Sequence, residues 1–185
     1  MSRMLNLASI LLALAVTPAL AQGIGPYAGE QTRAVKALSV EETRDLLEGR
    51  GMGLAKAAEL NRHPGPMHVL DLAEPLGLSE NDAVAIRRVF EAMQVEARAL
   101  GREILAAEGG LDQLFAQGAA NPAAIEVLTA KIGALQGRLR AVHLNAHLAI
   151  RPLLASDTVA RYDNLRGYAG EPARGHAPGA HPHRH

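Results

Sequence analysis

The chain has 185 residues, equal numbers of basic and acidic side chains, and neither cysteine nor tryptophan. A charge balance near zero gives no general electrostatic attraction for nucleic acid, so we expect no nucleic-acid partner. The absence of cysteine excludes disulfides and thiolate chemistry. Because only 3% of the residues are aromatic, the core must consist of aliphatic side chains and alanine, which favours closely packed helices.

The N-terminus has the three parts of a secretory signal peptide. A short segment with Arg3 precedes an apolar run, Leu7–Val16, and a Thr-Pro break then leads to Ala19 and Ala21 at positions −3 and −1 of a cleavage site. The run is well short of the roughly 20 apolar residues that span a bilayer. We therefore predict export, cleavage of residues 1–21 after Ala21, and no membrane insertion of the cleaved chain.

Residues 22–38 are predicted to form a flexible leader before a helical domain at 39–168. Ser39 and Glu42 form a capping-box pattern, which predicts a helix from this point to Glu48. Three glycines interrupt this helix, and residues 54–60 can form a further turn or two. The sequence His63-Pro64-Gly65-Pro66 then breaks the chain before a short helix, Met67–Ala73, that ends near Pro75 and Gly77.

Two long helices follow, each with a heptad seam of apolar or small residues. Ser79 is the predicted N-cap of the first helix, whose seam comprises Ile86, Phe90, Met93, Ala97, Leu100, Ile104, Ala107, Leu111 and Leu114. Asn121 and Pro122 begin the second, whose seam comprises Ile125, Leu128, Ile132, Leu135, Leu139, Val142, Ala146, Ala149 and Leu153. The short turn near Gly118 predicts an antiparallel hairpin.

The sequence thus predicts an all-α fold, a long antiparallel helical hairpin with short flanking helices. Pro152 is expected to end or kink the second long helix, and residues 156–166 to form a last short one. Residues 169–185 are predicted to be a disordered, His-rich tail. A lone hairpin covers only one side of each seam. The remaining apolar surface must be covered by the short N-terminal helices or by a second copy of the chain. We favour a homodimer.

His143 and His147 stand at i and i+4 on the second long helix, a spacing that lets both rings share a metal ion. Two surface histidines, or two rings packed on a neighbouring helix, would explain the spacing equally well. Zinc usually takes four ligands, and the hairpin geometry favours His68 as the third. The other candidates are carboxylates: Glu59, Asp71 and Glu91. His63, in a Pro/Gly turn, is expected to be solvated.

The tail carries four further histidines, His176, His181, His183 and His185. Such tracts bind Zn, Ni, Cu or Co weakly through neutral imidazole, although a solvated tail without a function is an equal alternative. Nothing indicates an enzyme, because the chain has neither a Gly-x-Ser-x-Gly elbow nor a His-Glu-x-x-His motif. We therefore predict no catalytic residues.

The chain resembles the Spy/CpxP-type periplasmic proteins with the LTxxQ motif, and among them the heavy-metal sensor and resistance branch. Leu78–Asp82 and Leu154–Thr158 occupy the two motif positions, with Asp82 and Thr158 in place of Gln. The likeness covers about residues 27–168. It is carried further by Tyr27-Ala28-Gly29, Lys36–Ser39, Gly51–Ala55, Pro64-Gly65-Pro66 with His68, His143–His147, Ala160–Asp163 and Arg166-Gly167-Tyr168.

The resemblance implies a hooked four-helix hairpin that dimerises in the periplasm of a Gram-negative bacterium. Metal-sensing members bind a divalent ion and signal to a membrane-bound partner, and His68, His143 and His147 map onto their histidines. Chaperone-like members hold unfolded clients on a concave surface without ATP, and some restrain a stress-sensing kinase.

Our first hypothesis is therefore a periplasmic divalent-metal sensor or resistance protein that acts by a metal-dependent conformational change. Zn is the favoured ion, with Ni, Co or Cu as alternatives, and binding should weaken below about pH 6.5 because ligation needs neutral imidazole. The alternative is an ATP-independent chaperone-like protein that binds unfolded clients or restrains a stress-sensing partner.

Overall fold

The computed structural model describes residues 25–169, and the predicted signal peptide, its cleavage site and the tail histidines lie outside this range. Within it the fold is all-α, without a strand, as predicted. The α-helices are α1 (Val40–Glu48), α2 (Lys56–Glu59), α3 (Pro66–Asp71), α4 (Ala73–Leu76), α5 (Glu80–Ala116), α6 (Pro122–Ile150) and α7 (Ser156–Leu165), with 3-10 turns at Glu30–Thr32 and Arg151–Leu153. None of the helices in residues 25–169 is both long and apolar enough to cross a membrane.

The described residues divide into two units, 25–31 and 32–169. The described part of the first unit is a pair of turns in which the amide of Gly29 donates to the side chain of Gln31. In the second unit the segment before α1 contacts the hairpin. Lys36 pairs with Asp112 of α5 at 2.7 Å, and Leu38 packs against the buried core.

Side-chain caps begin three of the helices where the sequence predicts them. Ser39 and Glu42 complete a capping box at α1, Ser79 accepts from the amide of Asp82 at α5, and Asn121 accepts from the amide of Ala124 at α6. Each cap satisfies an amide that the first helical turn leaves without a partner. By contrast, α7 follows Ala155, which has no side chain able to cap.

The helices α5 and α6 form the predicted antiparallel hairpin, with Gly118 in the left-handed conformation (φ 65°) at the turn. One buried cluster joins Leu46 of α1 to the middle of the hairpin, and it comprises Leu46, Ala97, Leu100, Ile104, Ala107, Ile132, Leu135 and Leu139. A second cluster joins the open end of the hairpin to α3, α4 and α7, and it comprises Val69, Leu76, Ile86, Ile150, Leu154, Val159 and Tyr162. The short helices therefore close the end of the hairpin opposite the turn.

The buried face of α6 departs from the predicted seam at its C-terminal end. Ala149 and Leu153 are exposed, whereas His143, His147 and Ile150 are buried. An untwisted α-helix has 3.6 residues per turn, so its buried face drifts away from a strict seven-residue repeat. The predicted seam puts the two histidines one position past Val142 and Ala146, at the side of the packed face, whereas the structure places them on that face.

The predicted short helix at residues 67–73 is replaced by two short helices, α3 and α4. Pro75 lies inside α4, where we expected the helix to end. It is the third residue of that helix, and a proline is tolerated there because amides of the first turn have no intrahelical partner.

The crossing of α1 over α5 depends on a glycine. A Cβ added at Gly101 would lie 2.1 Å from the carbonyl oxygen of Leu46, whereas Gly109, two turns further along α5, has no atom within 4 Å of such a Cβ. The backbone of α1 therefore approaches α5 more closely than any other residue type at position 101 permits.

We expect Gly101→Ala to lower the free energy of unfolding by about 1–3 kcal/mol, the usual range for overpacking a core. The matched variant Gly109→Ala should raise it by about 0.5–1 kcal/mol, because alanine is the better helix former. Urea denaturation followed by circular dichroism measures both values. Equal effects of the two substitutions would contradict the close crossing.

Candidate metal centre

The open end of the hairpin encloses a cavity of about 610 Å³ beside the two buried histidines of α6. His143 and His147 form one wall, Met67 and His68 of α3 a second, and Phe90, Met93 and Gln94 of α5 a third. A second cavity, of about 340 Å³, lies against the same three histidines and is lined by Met52 and Glu59. The structure thus brings the three sequence-predicted histidines to the lining of the same two cavities.

His143 is a buried histidine whose hydrogen-bonding capacity is not fully used. His143 is only 4% exposed, and its Nε2 atom is buried without a hydrogen-bond partner. Burial, and then the proximity of His147, lower the pKa of His143 below the ordinary value of 6.5. The imidazole is therefore neutral at pH 7, the form that binds a metal ion.

His147, one helical turn further on, is held in a fixed orientation. Its Nδ1 atom donates to the backbone carbonyl of His63 at 2.7 Å. Because a carbonyl oxygen only accepts, the neutral ring carries its proton on Nδ1 and presents a lone pair on Nε2. A backbone carbonyl on the second nitrogen is the usual support of a metal-binding histidine.

A glycine in the chain break allows the backbone to reach the His147 ring. A Cβ added at Gly65 would lie 2.9 Å from Cε1 of His147 and 3.1 Å from its Nε2. Pro64, Gly65 and Pro66 are all buried. The break therefore packs directly on the face of α6 that carries the histidines.

Glu59, at the end of α2, connects this site to α7. Its Oε2 atom accepts from the amide of Gly65 at 3.0 Å and lies 3.7 Å from Nδ1 of His147. Its Oε1 atom accepts from the hydroxyl of Tyr162 and from that of Tyr168 at 3.3 Å. Burial, and then the hydrogen bond to Glu59, raise the pKa of Tyr162 far above its ordinary value, so the phenol stays protonated and remains a donor.

The sequence identified Glu59 as a candidate ligand, but it did not predict the partners of this carboxylate. Tyr162 and Tyr168 supported only the family resemblance, and the carbonyl of His63 leaves no trace in a sequence pattern. The one local signal is Tyr168, an aromatic residue three positions beyond the end of α7 in a chain with few aromatics.

Of the other residues that the sequence predicts for the site, some line the two cavities and some do not. The Nδ1 atom of His68 lies 4.0 Å from a carboxylate oxygen of Asp71. Glu91 is exposed and outside the lining of both cavities. His63 lines a different, apolar cavity, and its ring contacts the carbonyl oxygen of Asn61 at 2.8 Å, so the backbone of His63, and not its side chain, supports the site.

The donors at this site fit a metal ion only in part. Within residues 25–169 no group of three or more His, Asp or Glu side chains is placed to hold one ion. Two imidazoles one turn apart, one of them with an unpartnered buried nitrogen, nevertheless offer two donors on a rigid helix. Further donors have to come from α3 or from side chains of another type.

We expect the metal-free protein to lose stability as the pH falls from 7.5 to 5. The folded-state pKa of His143 is lowered, so below about pH 6.5 the unfolded chain binds a proton that the folded chain does not, and the free energy of unfolding decreases by at most about 1.4 kcal/mol per pH unit from this group. The cavity around it also carries His68, His147, Glu48 and Arg98. Denaturation with a chelator present should show a shallower pH dependence for His143→Leu, whereas His63→Gln should keep the original slope. An unchanged slope in His143→Leu would show that burial of this ring does not govern the acid response.

Comparison with known proteins assigns the chain to a family. A search of curated proteins and of solved structures gave no match. A model of the heavy-metal resistance family matches residues 51–161, more than half of the chain, and this range contains α3, α5 and α6 and all three histidines. The match agrees with the branch to which the sequence resemblance points. The chain belongs to the heavy-metal resistance family.

Proposed function

We propose that this protein is a periplasmic metal-binding sensor or resistance protein that responds to a divalent ion by a change of conformation. The observation that carries the proposal is the unpartnered, buried Nε2 atom of His143 beside the supported ring of His147, within a chain of the heavy-metal resistance family. A buried polar atom without a partner costs about 1–3 kcal/mol, and a bound cation would remove that cost.

The residues that would hold the ion are His143 and His147 of α6 and His68 of α3. Bound there, the ion would supply a link between imidazole nitrogens of two helices. Because the three histidines do not form a ready three-ligand site, completing it requires α3 to move relative to α6. A ligand that prefers the completed arrangement shifts the population toward it.

The chain has a route by which such a movement reaches α7. The helix α3 begins directly after Gly65, whose amide donates to Glu59, and Glu59 accepts from Tyr162 and Tyr168. A displacement of α3 would change the first hydrogen bond and thereby the position of the carboxylate. We infer that the end of α7 is the part of the protein that reports occupancy of the site.

Export, dimerisation and a membrane-bound signalling partner are further parts of this proposal. The apolar run with its Ala-x-Ala cleavage site supports export. Large apolar side chains that are more than half exposed on the hairpin, Val95, Phe115, Val127 and Leu148, support contact with a second copy. Zn is the favoured divalent ion, with Ni, Co or Cu as alternatives.

We expect Zn²⁺ to bind the chain that begins at Gln22 and ends at Ala169, and His143→Ala or His147→Ala to weaken binding at least tenfold. Each variant removes one imidazole donor, and isothermal titration calorimetry at pH 7.5 measures the loss. Binding should also weaken at pH 5.5, where protons compete for the imidazoles.

His63→Ala is the matched control, because this histidine lies at the same end of the hairpin but lines a different cavity. Its Zn²⁺ affinity should stay within twofold of the original, since its backbone carbonyl is retained. Unchanged affinity in the His143→Ala/His147→Ala double variant would eliminate the site.

A chaperone-like function is the second candidate, and the same exposed apolar side chains favour it, because unfolded clients bind to exposed apolar surface. Metal-free protein should then suppress the thermal aggregation of an unfolded client followed by light scattering. Val95→Ser/Val127→Ser should reduce the suppression at least twofold, whereas His143→Ala should not change it. No suppression at a tenfold molar excess of the protein would eliminate this candidate.

A further inference from the structure

The two cavities beside the histidines are also where the methionines of the described chain lie. Residues 25–169 contain three methionines. Met67 lines both cavities, Met93 the larger one and Met52 the smaller one. Each of these cavities is also lined by His68, His143 and His147.

Core packing does not explain this distribution. Methionine is among the residue types most often buried, yet Met67 is 47% exposed and Met52 is 39% exposed, and Met93 is only partly buried. Neither of the two buried clusters contains a methionine. A flexible apolar side chain that fills a gap in a core would be expected in one of them.

The chemistry of the thioether suggests a different role. A thioether sulfur is a soft, uncharged donor that favours soft ions such as Cu(I), whereas imidazole suits Zn, Cu, Fe and Ni. Around His143, whose Nε2 is buried and lacks a partner, carboxylates are few. The larger cavity contains a single acidic residue, Glu48. A donor set of imidazoles and thioethers with a single carboxylate in the cavity suits a soft monovalent cation.

We propose that the larger cavity binds a soft monovalent cation, Cu(I) or Ag(I), through His143, His147 and Met67, with Met93 as a further donor. This inference rests on the proposed function of the same histidine site and adds soft monovalent cations to the divalent ions proposed there. It also accounts for the lack of a third imidazole or carboxylate ligand among the described residues, because the missing donors are sulfur atoms.

The test uses the chain from Gln22 to His185 with His176, His181, His183 and His185 replaced by asparagine, so that tail histidines do not compete. Methionine methyl groups are labelled with ¹³C, and Ag⁺ is added to one equivalent. The methyl signals of Met67 and Met93 should shift, and that of Met52 should not. Affinity for Cu(I) is measured anaerobically by competition with bicinchoninate, and affinity for Zn²⁺ by calorimetry.

Met67→Leu/Met93→Leu keeps the side-chain volume and removes both sulfur donors. It should weaken Cu(I) binding at least tenfold and leave Zn²⁺ affinity within twofold. Met52→Leu is the matched control and should change neither. Equal Cu(I) affinity in the original and the double variant would overturn the inference, and so would a loss caused by Met52→Leu that matches the loss in the double variant.

The outcomes also separate this inference from the function on which it rests. If Zn²⁺ binding depends on His143 and His147 while Cu(I) binding is indifferent to the methionines, the soft-ion assignment fails and the sensor proposal stands. If neither ion depends on the two histidines, both fail.

Discussion

The hydrogen bonds of the Glu59 carboxylate determine how the short helices pack at the open end of the hairpin. The side chain of Glu59 is only 12% exposed, and a carboxylate that is largely removed from water is costly unless hydrogen bonds and opposite charges compensate for its lost hydration. Glu59 obtains its partners from the amide before α3, from Tyr162 within α7, and from Tyr168 after it, while the guanidinium of Arg166 lies 3.8 Å away. Satisfying this one group therefore requires α2, α3 and α7 to meet beside α6.

The meeting of α2, α3 and α7 beside α6 determines which of the two α6 histidines has a hydrogen-bond partner. His147 has one, and the Nε2 atom of His143 has none. The chain break is drawn onto α6, where the carbonyl of His63 fixes the His147 ring and the absence of a side chain at Gly65 makes room for it. His143 lies one turn earlier, beyond the reach of the break, and its Nε2 faces no acceptor or donor. The site therefore combines one rigid ring with one ring whose bonding is incomplete.

Most of the helical fold could be predicted from signals that lie within a few residues of one another. The site instead depends on contacts between residues that are far apart in the sequence. The caps at Ser39, Ser79 and Asn121 and the two seams act within a few residues, so they can be read directly from the sequence. The shared cavity of His68 with the α6 histidines followed from hairpin geometry. The Glu59 network joins residues about a hundred positions apart, and no periodicity encodes which phenol meets which carboxylate. The burial of both histidines was likewise hidden, because it results from the drift of a straight helix away from the heptad repeat.

The burial of His143 on the packed face of α6 is itself an argument that this site binds a ligand. On α6 the first core cluster reaches Leu139 and the second contains Ile150, so an aliphatic side chain at position 143 would extend an apolar surface that already exists. A histidine there instead buries a nitrogen without a partner, at a cost of about 1–3 kcal/mol, and burial lowers its pKa. Departures from the stabilising residue at a packed position are expected mainly where function requires them. The fold tolerates this cost because Leu76, Tyr162 and their neighbours close the end of the hairpin around the site. The unpartnered nitrogen of His143 therefore remains free to bind a ligand.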